Sequence, residues 1–127
     1  MGISFINIPV SNPRHPGKRT IVKCLIDTGA TYSVISASIL KKIGVKSDDE
    51  ITLSLADGSE VTRPIGEARF SISGKSRVSP VIFGVKGDVN LLGVVTLEAM
   101  ALFLDPLKRE LLPLRALMAG LRKSRRA

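Results

Sequence analysis

Residues 21–35 read IVKCLIDTGATYSVI, and the fold is decided here. Isoleucine and valine favour a pleated strand, and the small residues of Thr28-Gly29-Ala30 favour a turn directly after it. The pattern therefore places a carboxylate, Asp27, at the point where an apolar strand ends. A carboxylate in apolar surroundings is costly unless hydrogen bonds, a counter-charge or a shared proton stabilise it. Asp27 is therefore the first candidate functional residue.

The composition indicates one globular domain. Of 127 residues 44% are apolar, and no apolar run approaches the roughly 20 residues that cross a bilayer. The N-terminus lacks the features of a secretory signal, so we expect a cytoplasmic protein without a transmembrane segment. The single cysteine, Cys24, has apolar neighbours and is expected to be a buried, unreactive thiol. With His15 as the only histidine, we expect no metal and no other cofactor.

Alternating polarity and turn residues predict an all-β fold of seven or more short strands. The clearest hairpin is 51–63, where Asp57-Gly58 is a favoured type I′ turn pair. Two short helices are predicted, one over 36–44 with Ser36 as its N-cap and one over 96–102. Pro80 is expected to interrupt a strand, whereas the far strand of the hairpin is expected to run on past Pro64. Because strands and helices do not alternate, the pattern predicts a β-barrel or a β-sandwich.

One carboxylate is not enough for the hydrolysis of amides by an acid pair. Two carboxylates about 3 Å apart can share a proton, so that one accepts a proton from water while the other polarises the carbonyl. The chain has a single Asp-Thr-Gly sequence, at Asp27. If this chemistry operates, the second carboxylate has to come from a symmetry-related copy. This predicts a homodimer with a two-fold axis between the two Asp27 side chains.

Three motifs in this order resemble the retropepsin family: Asp27-Thr28-Gly29-Ala30, the hairpin tip at Asp57-Gly58, and Leu91-Leu92-Gly93 before a helix. Retropepsins are single-lobe, dimeric aspartic proteases related to the retroviral proteases. The resemblance covers about residues 20–104. It implies a closed β-barrel of the retropepsin type with one or two short helices. It also implies an aspartic endopeptidase that acts as a homodimer on peptide or protein substrates.

The resemblance implies a role for each matching residue. Asp27 is implied to be the catalytic acid and base, and Thr28 to hydrogen-bond across the dimer axis. Thr28, Gly29, Leu92 and Gly93 are implied to support the catalytic loop. The implied substrate-binding residues belong to that loop, to the flap at the hairpin tip and to the later apolar segment: Gly29, Ala30, Ala56, Asp57, Gly58, Ser59, Val89 and Leu91. The flap would close over substrate and exclude water.

Four positions depart from the retroviral pattern or bear on the chemistry. Retroviral enzymes usually carry acidic residues after Asp-Thr-Gly-Ala that pair with an arginine after the later apolar-apolar-Gly. This chain has Thr31, Tyr32 and Val94 at those positions, which implies a divergent, cellular member of the family. Ala30 has no hydroxyl to stabilise an ionised carboxyl pair, as a serine would. We therefore expect a less acidic pH optimum than that of gastric-type enzymes, above about 3.

The C-terminal segment carries most of the net charge of +8, because residues 105–127 hold seven basic and two acidic side chains. The apolar residues of 114–121 follow helical spacing after Pro113. We therefore predict a barrel domain over 1–112 and an amphipathic helix with a basic tail over 113–127. This helix either docks on the barrel or the dimer, or binds an anionic partner such as nucleic acid or lipid.

Two functional hypotheses follow. The first is a homodimeric aspartic endopeptidase that prefers apolar side chains in its substrates. The alternative is a non-catalytic binding or dimerisation module of the retropepsin fold, whose basic tail attaches to nucleic acid, lipid or an acidic partner. The complete Asp-Thr-Gly sequence favours the protease, because a scaffold gains nothing from an acid in apolar surroundings.

Overall fold

The computed structural model describes residues 4–123 and shows nine strands and two short helices there. Along the chain these are β1 (Phe5–Ser11), β2 (Arg19–Ile26), β3 (Ser33–Ser36), α1 (Ala37–Lys42), β4 (Ser47–Ser54), β5 (Glu60–Ile72), β6 (Lys75–Gly84), β7 (Leu91–Leu92), α2 (Val94–Ala99), β8 (Leu102–Leu104) and β9 (Leu111–Pro113). The prediction of a mostly-β chain with few short helices is confirmed. Neither helix is long and apolar enough to span a membrane, a statement that concerns residues 4–123 alone.

Seven strands form one sheet in the order β1-β2-β7-β3-β6-β5-β4. A further pairing of β1 with β5 closes six of them into a ring and leaves β4 outside it, as one arm of the hairpin with β5. Most neighbouring strands are antiparallel, but β2 pairs with β7 and β3 with β6 in parallel. The strands β8 and β9 form a separate two-stranded sheet.

The hydrophobic core is built from alternate residues of these strands. In β2, Val22 and Cys24 are buried and Lys23 between them is exposed, as the two-residue period of a strand requires. The largest fully buried side chain is Phe70 of β5. Burial raises the pKa of the Cys24 thiol to about 12, so that the thiol stays protonated at neutral pH. Cys24 is therefore the buried, unreactive thiol that the sequence predicts.

The position of α1 was predicted correctly from residues at its two ends. The Ser36 hydroxyl accepts a hydrogen bond from the Ile39 NH at 3.3 Å, which satisfies one of the free donors at the start of the helix. Gly44 follows the helix with a φ of 77°, a left-handed conformation that costs glycine little. The second helix starts at Val94, two residues earlier than predicted, for a reason that lies in the site described below.

The prediction that a strand runs on past Pro64 is confirmed, but Pro80 does not interrupt its strand as expected. Pro64 lies within β5 and Pro80 within β6. Pairing of β5 with β6 begins at Ile65, one residue after Pro64, and pairing of β6 with β3 begins at Val81, one residue after Pro80. Each proline therefore lies at a local sheet edge, where the missing NH leaves no hydrogen bond unmade.

The turn of the β4–β5 hairpin is not the predicted type I′ turn. The Gly58 NH donates to the Leu55 carbonyl at 3.0 Å, and the Leu55 NH donates to the Ser59 carbonyl at 2.8 Å. φ is positive at Gly58, at 87°, but not at Asp57. A type I′ turn needs positive φ at both central residues, so the loop is instead a type I turn followed by a left-handed glycine.

The helix predicted over 113–127 is wrong for the part that the structure describes. Pro113 ends β9 rather than starting a helix, and residues 114–123 are not helical. Leu117 is 95% exposed, Met118 66% and Leu121 73%, so most of the predicted apolar face lies in solvent. A segment this short gains too little from its own hydrogen bonds to stay helical without tertiary packing. Residues 124–127 of the predicted helix lie outside the described residues.

Candidate active site

Asp27 directly follows β2, in a loop of residues 27–32 that we call the Asp27 loop. Its NH donates to the Leu92 carbonyl at 3.1 Å, which extends the pairing of β2 with β7 by one residue. Its carboxylate oxygen Oδ1 accepts a hydrogen bond from the Gly29 NH at 2.9 Å. The Ala30 NH donates to the Asp27 carbonyl at 3.2 Å. These three bonds fix both the turn and the direction of the carboxylate.

The Asp27 side chain is half-buried, which is more exposed than the sequence suggested. The turn leaves the sheet immediately after Asp27, so that Thr28 and Gly29 are exposed. Within residues 4–123, the Gly29 NH is the one group that hydrogen-bonds to this carboxylate. The second oxygen, Oδ2, is therefore available to water, to a substrate or to another carboxylate.

The Asp27 loop is bonded to the start of α2. The Val94 NH donates to the Ala30 carbonyl and the Val95 NH to the Thr31 carbonyl, both at 2.9 Å. The first NH groups of a helix have no partner within the helix, and here the loop supplies the acceptors. This explains why α2 begins before Thr96, the predicted start. It also means that α2 holds the Asp27 loop in place.

Gly93 allows β7 and α2 to approach the loop closely. A Cβ atom at this position would lie 2.5 Å from the Tyr32 carbonyl carbon, 2.6 Å from its oxygen and 2.9 Å from the Ser33 nitrogen. No side chain fits there unless the backbone moves. The Gly93 NH donates to the Ser33 hydroxyl at 2.9 Å, and the neighbouring Leu92 is fully buried. The Leu-Leu-Gly motif therefore packs directly against the Asp27 loop.

Three buried hydroxyls lie beneath this contact, and the sequence pattern did not indicate them. The Thr96 hydroxyl lies 2.5 Å from the Ser33 hydroxyl and 2.8 Å from that of Ser79, and each of the three residues is at most 1% exposed. Ser79 donates in turn to the Pro80 carbonyl at 3.2 Å. The donors can run in one direction, from the Gly93 NH through Ser33, Thr96 and Ser79 to this carbonyl. The chain of bonds joins β3, α2 and β6, and a fully satisfied network of this kind makes the site rigid.

Asn90 is a second residue that the sequence did not single out. Its carbonyl accepts a hydrogen bond from the Leu25 NH, and its side-chain oxygen accepts one from the Ser36 NH, both at 2.9 Å. Asn90 thereby ties the segment before β7 to β2 and to the N-cap of α1. No local sequence signal could reveal these bonds, because Asn90 and Ser36 lie far apart along the chain.

The remaining predicted site residues lie at the surface. The hairpin tip, Ala56–Ser59, is exposed, and within residues 4–123 no hydrogen bond joins it to the Asp27 loop. The Ser59 hydroxyl at 2.5 Å and the Ser59 NH at 2.9 Å both donate to Asp57 Oδ1 and lower the pKa of Asp57. Val89 is 53% exposed, and Leu91 is half-buried. The structure thus brings Leu91, Leu92 and Gly93 together with the Asp27 loop.

Residues 15–95 match the aspartyl protease family. Because this match spans more than half of the chain, the chain belongs to the aspartyl protease family. The matched segment contains the Asp27 loop, the hairpin tip and the Leu91-Leu92-Gly93 motif. No curated protein matches the chain.

Solved structures share the fold at low sequence identity. The EIAV protease complexed with the inhibitor HBY-793 is similar with a TM-score of 0.53 and 16% identity, over 72% of this chain and 82% of that one. A retropepsin-like aspartic protease from Rickettsia conorii gives 0.52 and 21%, over 82% and 77%. The simian foamy virus (mac) protease gives 0.50 and 17%, over 71% and 87%. The predicted retropepsin-like fold is therefore confirmed, and viral and bacterial proteases share it.

Proposed function

We propose that this chain is an aspartic endopeptidase that works as a homodimer, with one Asp27 from each subunit in a shared active site. The ring of six strands is the closed barrel of the retropepsin type within a domain of residues 1–112. Residues 113–127, which begin with the last residue of β9, make up the basic C-terminal segment of the sequence.

The observation that carries this proposal is the arrangement of the Asp27 carboxylate. One oxygen is oriented by the Gly29 NH at 2.9 Å, and within residues 4–123 the other has no hydrogen-bond partner. The loop that presents it is fixed by the Leu92 carbonyl and by α2. A carboxylate that is oriented but incompletely bonded suits a reacting group better than a structural one. The chain supplies one such group, and the chemistry needs two.

In the proposed reaction the two Asp27 carboxyls share one proton. The ionised carboxylate takes a proton from a water molecule, while the protonated partner donates a hydrogen bond to the carbonyl oxygen of the scissile peptide. The water oxygen adds to the carbonyl carbon, and the tetrahedral intermediate collapses when the leaving nitrogen receives a proton. Two carboxylates this close do not both ionise readily, which keeps the shared proton in place.

The substrate is proposed to lie between the Asp27 loop and the hairpin tip. Gly29 and Ala30 line the floor and offer little steric hindrance, while Ala56–Ser59 form the flap that closes over the peptide. Val89 and Leu91 supply apolar contacts. Since the exposed side chains of this set are mainly apolar or small, substrates with apolar residues beside the cleaved bond are expected.

The test is cleavage of a mixed peptide library by the purified chain and by Asp27→Asn across a range of pH values. The substitution should lower the cleavage rate by about 10²–10⁴-fold, because it removes the general acid and base. Asp49→Asn is the matched control, since Asp49 is exposed on β4 and its change alters the charge equally. A pH optimum above about 3 is expected from Ala30.

Cleavage that survives Asp27→Asn would refute the assignment of Asp27. If the chain and both variants sediment as dimers but none of them cleaves any peptide, the fold serves a binding module instead.

A further inference from the structure

An apolar groove of about 470 Å³ lies apart from the proposed active site. Its walls include Val45, Pro64, Phe83 and Val85, and none of the predicted substrate-binding residues lines it. The volume falls within the range of pockets that bind ligands, roughly 300–1,000 Å³. Val85 is 48% exposed, so an apolar surface is available to a partner.

The groove is preformed by two glycines. Gly44 takes a φ of 77° and lets the chain turn out of α1, after which the Val45 NH donates to the Leu40 carbonyl at 2.9 Å. A Cβ atom on Gly66 would lie 2.6 Å from the Lys46 carbonyl oxygen and 3.2 Å from the Phe83 ring. The backbone of segment 44–47 therefore lies directly against β5, and this close contact restricts the movement of the segment.

The charged residues that line the groove are both lysines. Lys41 and Lys46 are exposed, and neither forms an ion pair with any residue of 4–123. Among residues 4–123, no acid lines the groove. Asp48 and Glu67 line a neighbouring cavity of about 390 Å³, to which Lys46 also contributes, and Asp88 pairs with Arg63 at 3.6 Å. The groove thus combines an apolar floor with two unpaired positive charges.

The positive charge of the groove comes from its lining, in which Lys41 and Lys46 are the charged residues. Asp48, Asp49 and Glu50 follow the lining residue Ser47 in the sequence and lie outside the lining. The basic C-terminal tail of this chain is therefore a poor occupant, because like charges repel. An acidic segment offers the opposite charge, and the apolar floor needs a side chain to cover it.

We propose that this groove is a docking site for an acidic peptide segment of another protein, with one apolar side chain in the groove and acidic residues on Lys41 and Lys46. The site is separate from the proposed active site and does not depend on proteolysis. The loop that starts at Val85 also carries Val89, so a protein docked here lies next to the proposed substrate cleft.

The probe is a fluorescein-labelled peptide of glutamates around one central phenylalanine, and its binding is followed by fluorescence anisotropy. All measurements use the full chain with Asp27→Asn, so that nothing is cut and a failure of the proposed protease activity cannot hide binding. Lys41→Glu/Lys46→Glu should weaken binding at least about tenfold, because two attractive ion pairs become repulsive. Replacing the phenylalanine of the peptide with serine should also cost about tenfold.

The matched control is Lys42→Glu/Lys108→Glu, which changes the net charge equally at exposed positions outside the groove. It should weaken binding less than about threefold, since only long-range attraction is lost. If Lys41→Glu/Lys46→Glu unfolds, the neutral pair Lys41→Gln/Lys46→Gln takes its place, with an expected loss of about threefold.

Three results would overturn the proposal. One is equal weakening by the groove and control variants. Another is binding of a thymidine oligonucleotide or of the serine peptide as tight as that of the phenylalanine peptide, which would show attraction by charge alone. The third is a change in dimerisation on sedimentation of Lys41→Glu/Lys46→Glu, which would assign the groove to a second copy of this chain.

Discussion

Replacing Gly93 with alanine should lower the free energy of unfolding by about 2–4 kcal/mol. The added Cβ would lie 2.5 Å from the Tyr32 carbonyl carbon, and this contact is backbone, which cannot rotate away as a side chain can. Overpacking of a filled interior costs about 1–3 kcal/mol. The shift needed to relieve the clash also pulls the Gly93 NH from the Ser33 hydroxyl, at about 1 kcal/mol for a buried hydrogen bond.

Urea unfolding followed by circular dichroism measures this loss, provided that the slope with denaturant stays constant. Gly17→Ala is the matched control, because no atom lies within 4 Å of its added Cβ and its φ is not left-handed. This control should leave stability unchanged or raise it by up to about 1 kcal/mol. A Gly93→Ala chain within about 0.5 kcal/mol of the native one would refute the close packing of α2 on the Asp27 loop.

Three further outcomes are expected. Thr96→Val should cost about 1–3 kcal/mol in urea unfolding, because it removes two buried hydrogen bonds, to the hydroxyls of Ser33 and Ser79. Thr96→Ser should keep most of the stability, and equal losses would contradict the network. Ser59→Ala should raise the pKa of Asp57 toward its ordinary value, as NMR titration can show. Because that pKa is lowered by folding, its stabilising effect exists above the ordinary pKa and is lost as pH falls through the folded value. Cys24, whose pKa rises from 9.0 to about 12, should favour folding below pH 9 and cease to do so as pH rises toward 12. Rapid labelling of native Cys24 by a thiol reagent at neutral pH would contradict its burial.

Features set by neighbouring residues could be predicted from the sequence. The apolar run before Asp27, the turn after it and the Ser36 cap each depend on a few consecutive side chains, and the structure has all three. The hairpin at 51–63 was located correctly, but its turn type was wrong. A favoured residue pair determines the position of a turn in the sequence more strongly than it determines the φ angles of the turn residues.

Features set by distant residues could not be predicted. Ser33 and Thr96 meet across 63 positions of the sequence, and each looks like an ordinary polar residue in its own segment. Pro80 continues its strand because the pairing of β6 with β3 begins one residue later, at Val81, which only the sheet order reveals. The prediction of a C-terminal helix was wrong because it relied on local spacing alone. The apolar residues have helical spacing, but Leu117 is exposed and no packing surface in the described part of the chain stabilises a helix there.

The most direct test of the proposed two-chain active site is a mixing experiment. The native chain is held at a constant concentration at which it sediments as a dimer, and Asp27→Asn is added in increasing excess. If each active site takes one Asp27 from each of two chains, peptide cleavage should fall in proportion to the native fraction, about tenfold at a tenfold excess. Cleavage that is indifferent to the added variant would show that one chain suffices and would contradict the shared active site.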